Sequence, residues 1–201
     1  MRSVTIFSLP NSTKKLLMTD ELFFDTDCLS SFLWTDEGCI LTKLYPGKIA
    51  VPQAVFNELS RVHKPIFKER LDTLLESGEA IVVDIEAGSD ASKLYRRMTQ
   101  KPLPGFKVVG KGEAASLALA KEHSGIVASN NFRDIRQYVQ EFNLRYKSTG
   151  DIMVEAYEQG LISEFEGNNI WRQMLEEDCW IGADSFTEYL KKPYKPLSSS
   201  L

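Results

Sequence analysis

Glu21-Leu-Phe-Phe-Asp25 is the stretch on which the fold turns: a short run of large apolar residues closed by an acid. A strand buried on both faces reads as a continuous apolar run, not an alternating one, and such strands belong to parallel sheets covered by helices. Three more runs of this kind follow, Lys48-Ile-Ala-Val-Pro52, Ala80-Ile-Val-Val-Asp84 and Gly125-Ile-Val-Ala-Ser129, and Leu144-Arg-Tyr-Lys147 reads as a short fifth. Helical patterns separate them. Ser30 to Tyr45 reads as one helix, and Pro52 suits the first position of another through Leu59. From Pro65 to Glu76, the residues Ile66, Phe67, Leu71, Leu74 and Leu75 recur three and four apart, and Gly78 ends the run. Helices are also predicted from Ser89 to Thr99, over the alanine-rich Gly112 to Lys121, and from Asn130 to Glu141. Ser148 and Asp151 have capping-box spacing for a helix that Gly160 ends, and two more fit 166–178 and 184–192. Lys101-Pro-Leu-Pro-Gly-Phe106 interrupts the pattern as a loop. The alternation predicts a three-layer α/β/α domain around a central parallel sheet of about five strands.

The 201 residues suffice for one domain with a sizeable core, and 43% hydrophobic with 26% charged residues are ordinary for a globular chain, suggesting neither disorder nor a fibrous class. Residues 1–20 read as an N-terminal extension, 21–192 as the domain with extra C-terminal helices, and 193–201 as a Ser-rich tail that frays. The N-terminus lacks an uninterrupted apolar segment and no run approaches membrane-spanning length, so the expectation is a cytoplasmic chain with no membrane partner. The three cysteines have no zinc-knuckle spacing and read as reduced thiols. The net charge of −4 is unlike a protein that binds nucleic acid over its whole surface, but an acidic metal site lowers the total by itself. Cations are concentrated in Arg61-Val-His-Lys-Pro-Ile-Phe-Lys-Glu-Arg70 and in Arg133, Arg136, Arg145 and Lys147. They read as solvated helix faces or as phosphate contacts.

In a doubly wound sheet the site lies beyond the carboxyl ends of the strands. Asp25 and Asp27 follow the first strand, Glu58 lies in the helix after the second, and Glu113 opens the alanine-rich helix. Asn130, Asn131 and Asp134 follow the fourth strand, with Asn130 and Asp134 placed four apart on one helix face. Hard cations such as Mg²⁺ or Mn²⁺ take carboxylate and amide oxygens, and they activate water against a phosphodiester. Each residue also has a purely structural role open to it. Asp27 and Asn130 suit helix N-caps, Glu113 suits the positive end of a helix, and Asp134 suits a pair with Arg133 or Arg136.

Leu22-Phe-Phe-Asp-Thr-Asp-Cys-Leu-Ser30, Val51-Pro-Gln-Ala-Val-Phe-Asn-Glu-Leu59, Gly110-Lys-Gly-Glu-Ala-Ala-Ser-Leu-Ala118 and Val127-Ala-Ser-Asn-Asn-Phe-Arg-Asp134 resemble, in order, the four blocks of PIN domains. The resemblance implies a metal-dependent ribonuclease, often the toxin of a bacterial toxin–antitoxin pair. It implies catalytic roles for Asp25, Glu58, Glu113, Asn130 and Asp134, with Mg²⁺ or Mn²⁺ held by Asp25, Asp27, Glu113, Asn130 and Asp134. Its expected partners are RNA, an antitoxin-like protein and, as an open case, a second copy of the chain. One departure stands out: PIN domains usually carry Asp where this chain has Asn130 or Asn131, and Asn offers an oxygen without a charge. Asp134 or Asp27 would then compensate. Two other readings are open. One is a degenerate PIN fold that binds protein or RNA without catalysis, which the asparagines favour. The other, more distant, is a haloacid-dehalogenase-like phosphatase, to which Asp25-Thr-Asp27 is similar.

Overall fold

A computed structural model describes residues 20–61 and 65–192, so residues 1–19 of the predicted extension, His63 and Lys64 of the basic stretch, and the tail lie outside the described residues. The opening apolar run forms β1 (Leu22–Phe24), whose three residues are fully buried. It is followed by β2 (Ile49–Pro52), β3 (Ala80–Val83), β4 (Ile126–Ala128) and β5 (Arg145–Lys147). All pairings are parallel and the order is β3-β2-β1-β4-β5. Successive side chains of β1 point to opposite faces, so Leu22 and Phe24 enter one core and Phe23 the other. This is the predicted three-layer α/β/α architecture.

The helices are α1 (Thr26–Trp34), α2 (Gly38–Leu44), α3 (Gln53–Arg61), α4 (Pro65–Glu76), α5 (Asp90–Gln100), α6 (Lys111–His123), α7 (Phe132–Glu141), α8 (Thr149–Glu158), α9 (Glu164–Glu176) and α10 (Phe186–Leu190). Buried residues of α1, α2, α4, α8 and α9 fill one core, and those of α5, α6 and α7 fill the other. The alanines of α6 are buried from Ala114 to Ala120, which brings the helix close to the sheet.

Among the boundaries that differ from the sequence reading, three have an identifiable physical reason. Ser30–Tyr45 is two helices, because the Arg70 guanidinium donates to the carbonyls of Leu33 and Trp34 and so occupies the end of α1. Arg70 also pairs with Asp36, which turns the chain with φ +62° before α2 begins. Pro52 closes β2, paired with Val83, and does not open α3. α7 starts at Phe132, so Asn130 precedes it and cannot share a helix face with Asp134.

The chain moves from β1 outward to β2 and β3 on one side, and reaches β4 and β5 on the other. The order therefore reverses between β1 and β4, and a crevice opens there beyond the carboxyl ends. Asp25 follows β1 and Ser129-Asn130-Asn131 follow β4, so both flank it.

Candidate metal and active site

Asp25 is fixed by its backbone and by half of its carboxyl group. Its amide donates to the Ala128 carbonyl at 2.9 Å, joining the ends of β1 and β4. Its Oδ1 accepts the Cys28 amide at 2.8 Å, which makes Asp25, not Asp27, the N-cap of α1. Oδ2 is buried without a hydrogen-bond partner. Burial pushes the carboxyl up to about 7, and the charges of Asp27 and Glu113 add to the rise. The Ser129 hydroxyl and the Cys28 amide oppose it, but only the Cys28 amide makes a hydrogen bond. A buried carboxylate oxygen without a donor is costly, and the cost falls when a cation meets it.

Asp27 lies in the first turn of α1, and burial raises its carboxyl, with the Glu58 charge adding to the effect. Glu58 reaches α1 from α3, where its Oε2 accepts the Thr26 hydroxyl at 2.5 Å. Gly112 of α6 makes that approach feasible. A Cβ there would stand 2.8 Å from Thr26 Oγ1 and 3.0 Å from Glu58 Oε2. Gly112→Ala is therefore expected to break the Thr26–Glu58 bond and to cost ~1 kcal/mol in urea unfolding. In a Thr26→Ala background the same change should cost clearly less. Equal costs in both backgrounds would place the strain elsewhere.

Glu113 uses both its oxygens. Oε2 accepts the Gly110 amide at 2.8 Å, so its helix-capping role is real. Oε1 accepts Asn131 Nδ2 at 2.7 Å, and the same Nδ2 donates to Asp134 Oδ2 at 3.0 Å. The Asn131 amide thus bridges two carboxylates. Lys107 Nζ closes on Asp134 Oδ1 at 2.8 Å and, with Asn131, holds that carboxyl below its ordinary range. Arg133 is farther, at 3.9 Å, so the expected arginine pair gives way to Lys107. Asn130 plays a different part. Its Oδ1 accepts the Thr149 amide at the start of α8, and its Nδ2 donates to Ser31 at 3.3 Å. It pins α8 against α1 and does not cap α7.

Of the predicted site residues, Asp25, Asp27 and Glu58 act on one another on one side and Glu113 and Asp134 are joined through Asn131 on the other, while Asn130 is turned to Thr149 and Ser31. Among the described residues no three acids, thiols or imidazoles are arranged to hold an ion between them. Mg²⁺ keeps several waters and needs only one or two carboxylates. The donor set fits such an ion at Asp25 Oδ2.

A cleft of about 340 Å³ opens beside these groups, lined by Asp27, Ser30, Asn130 and Asn131 and by the loop Glu177–Trp180. Nothing in the sequence links that loop to Asp27, and Lys107 and Thr26 are equally silent because their roles exist only once α6 and α7 have docked. Of the cations that sequence grouped, Lys68 pairs with Asp72, Arg145 with Asp20, and Lys147 with Glu155. Arg133 and Arg136 are exposed on α7. No helix among the described residues is long and apolar enough to cross a membrane.

A family model described as a PIN domain matches residues 21–194. No curated protein matches the chain. Among solved structures, the chain is similar to VapBC2 from Rickettsia felis bound to a DNA fragment from their promoter, with 15% identity over 63% of this chain and 97% of that one and a TM-score of 0.47. It is also similar to FitAB bound to an IR36 DNA fragment, with 15% identity, 64% and 94% coverage and a TM-score of 0.45.

Proposed function

The chain belongs to the PIN-domain family, and from that premise we propose that it is an endoribonuclease that hydrolyses RNA phosphodiesters with Mg²⁺ or Mn²⁺. The observation that carries the reading is Asp25: a buried carboxyl at the reversal point of the sheet, with one oxygen unpartnered and two further acids acting on it. Asp25 would hold the ion through Oδ2, with water completing its shell, while Asp27 and Glu113 add the negative charge that favours a cation there. A bound divalent ion supplies a more acidic water and neutralises phosphate charge. Asp27 lines the cleft and its carboxyl is raised by burial, so it suits a group that takes a proton from the attacking water. Glu58 fixes the start of α1 through Thr26 and so orients Asp27. The bidentate hold of Gly110 and Asn131 keeps the Glu113 carboxylate in one orientation. A toxin role with an antitoxin-like protein partner is the biological setting proposed for this activity.

A second reading rests on the asparagines. Asn130 is spent on Thr149 and Ser31, and Asn131 donates where an ion would accept, which suits a binding module without catalysis. The family membership leaves the phosphatase reading without support.

Incubation with single-stranded RNA separates the two. The expected result is cleavage in Mg²⁺ or Mn²⁺ that EDTA stops. Equal cleavage in EDTA would rule out a metal mechanism, and no cleavage of any RNA with metal present would select the binding module.

A further inference from the structure

We propose that Trp180 is the stacking platform for a nucleobase of the single-stranded substrate, in the cleft that Asp27, Asn130 and Asn131 also line. The inference rests on the nuclease reading and adds to it the form of RNA recognition.

Trp180 is 78% exposed, more than any other large apolar side chain among the described residues. Its backbone is nevertheless held on both sides. Before it, the amides of Glu177 and Cys179 donate to the Met174 carbonyl and that of Asp178 to the Leu175 carbonyl, at 3.1–3.2 Å. Asp178 takes φ +58°, turning the chain out of α9. After it, Ile181 is buried, and the Ala183 carbonyl accepts the buried Trp171 indole at 2.9 Å. The anchored backbone fixes where the indole stands, so that binding has the side-chain rotamer, not the loop, to order.

Trp180 lines the cleft together with Asp27, Asn130 and Asn131. At about 340 Å³ the cleft lies at the low end of the ~300–1,000 Å³ range of small-ligand sites, which suits a single base. Its charge selects what enters. Asp27, Glu177 and Asp178 line it, so a phosphate is repelled and a neutral, flat, hydrogen-bond-donating base is accepted. The backbone of the strand is then left on the rim, where α7 begins one residue after Asn131 and exposes Arg133 and Arg136. Base-on-aromatic stacking with a cationic track for phosphates is the general chemistry of single-strand binding.

The test is anisotropy of a labelled oligoadenylate with phosphorothioate linkages, which hydrolyse slowly, in Mg²⁺ at several salt concentrations. Trp180→Ala is expected to weaken binding about tenfold, in line with the ~1–3 kcal/mol of one stacked base. Trp180→Phe should stay near wild type, since a smaller ring still stacks. Phe165→Ala, at an exposed aromatic outside the cleft, should not change binding. The salt slope should be the same in all, because no phosphate contact is removed. With native RNA, Trp180→Ala should raise KM and spare kcat. Wild-type affinity in Trp180→Ala, or a Phe variant as weak as the Ala variant, overturns the proposal. So does a Trp180→Ala effect confined to self-association or to a protein partner. A wild type that cleaves RNA while Trp180→Ala is silent leaves the nuclease reading standing, whereas a wild type that neither binds nor cleaves RNA sinks both.

Discussion

Asp25→Asn is expected to lower metal-dependent RNA cleavage by at least ~100-fold, since even outer-shell partners of metal ligands cost ~10–100-fold, and at the same time to make the metal-free protein more stable. The two effects have one cause. Asp25 is buried with Oδ2 unpartnered, and its carboxyl titrates at about 7 in the folded chain against 3.8 ordinarily. Below about pH 4 the group is neutral in both folded and unfolded chains, so it carries no charge-burial penalty. Between 4 and 7 the folded chain binds more protons than the unfolded one, and stability falls as pH rises. Above 7 the penalty is constant, at most ~4 kcal/mol from the gap between the two values. The Asn variant escapes it. Its melting temperature in EDTA should match wild type near pH 4 and exceed it at pH 8, by ~2–4 °C for each kcal/mol recovered. Added Mn²⁺ should raise the melting point of wild type and not of the variant. A variant that is less stable at pH 8, or equally more stable at both pH values, would show that the Asp25 carboxylate already has a counter-charge and is not waiting for a metal.

Much of this site was legible before any coordinates, and the reason is geometric. A buried parallel strand announces itself as an apolar run, and the residue after it falls at the sheet's carboxyl edge by construction. Asp25 and the residues after β4 were therefore brought to that edge by pattern alone, although Asn130 and Asn131 read as helix and precede α7, and the capping box of Ser148 and Asp151 was found. What failed was everything decided by a partner distant in sequence. Arg70 looked like a free cation because nothing local shows that α4 delivers it to the end of α1. Asn130 looked like a helix cap because Asn caps helices, yet its amide is taken by α8 and α1. Lys107 lies in a stretch with no periodicity and gains a role only when α7 brings Asp134 beside it. The wall at Glu177–Trp180 is the extreme case, since only tertiary packing carries the end of α9 to Asp27.

The neighbouring asparagines, alike in sequence, should respond in opposite ways to the same substitution. Asn130→Asp is expected to leave stability near wild type. The carboxylate still accepts the Thr149 amide, the positive end of α8 favours its charge by ~0.3–1 kcal/mol, and the loss is confined to the weaker 3.3 Å bond to Ser31. Asn131→Asp removes the donor that joins Glu113 to Asp134 and sets a third carboxylate between them, with Lys107 as the nearby cation. Losing the bond to Glu113 alone costs about 1–2 kcal/mol, and like-charge repulsion adds to it. In EDTA its melting point should fall, and Mn²⁺ should restore it beyond wild type, because an ion can take the bridging place that the Asn131 amide fills. The position whose Asp variant gains Mn²⁺ affinity identifies where the turn after β4 meets metal. A gain at 131 alone would mean that the amide of Asn131 occupies the bridging position in place of an ion. A gain at 130 alone would move the ion toward α8 and Ser31. Should Asn131→Asp match wild type in EDTA, the Glu113–Asn131–Asp134 bridge contributes nothing to the fold, and the separation of the acids into two groups would lose its physical basis.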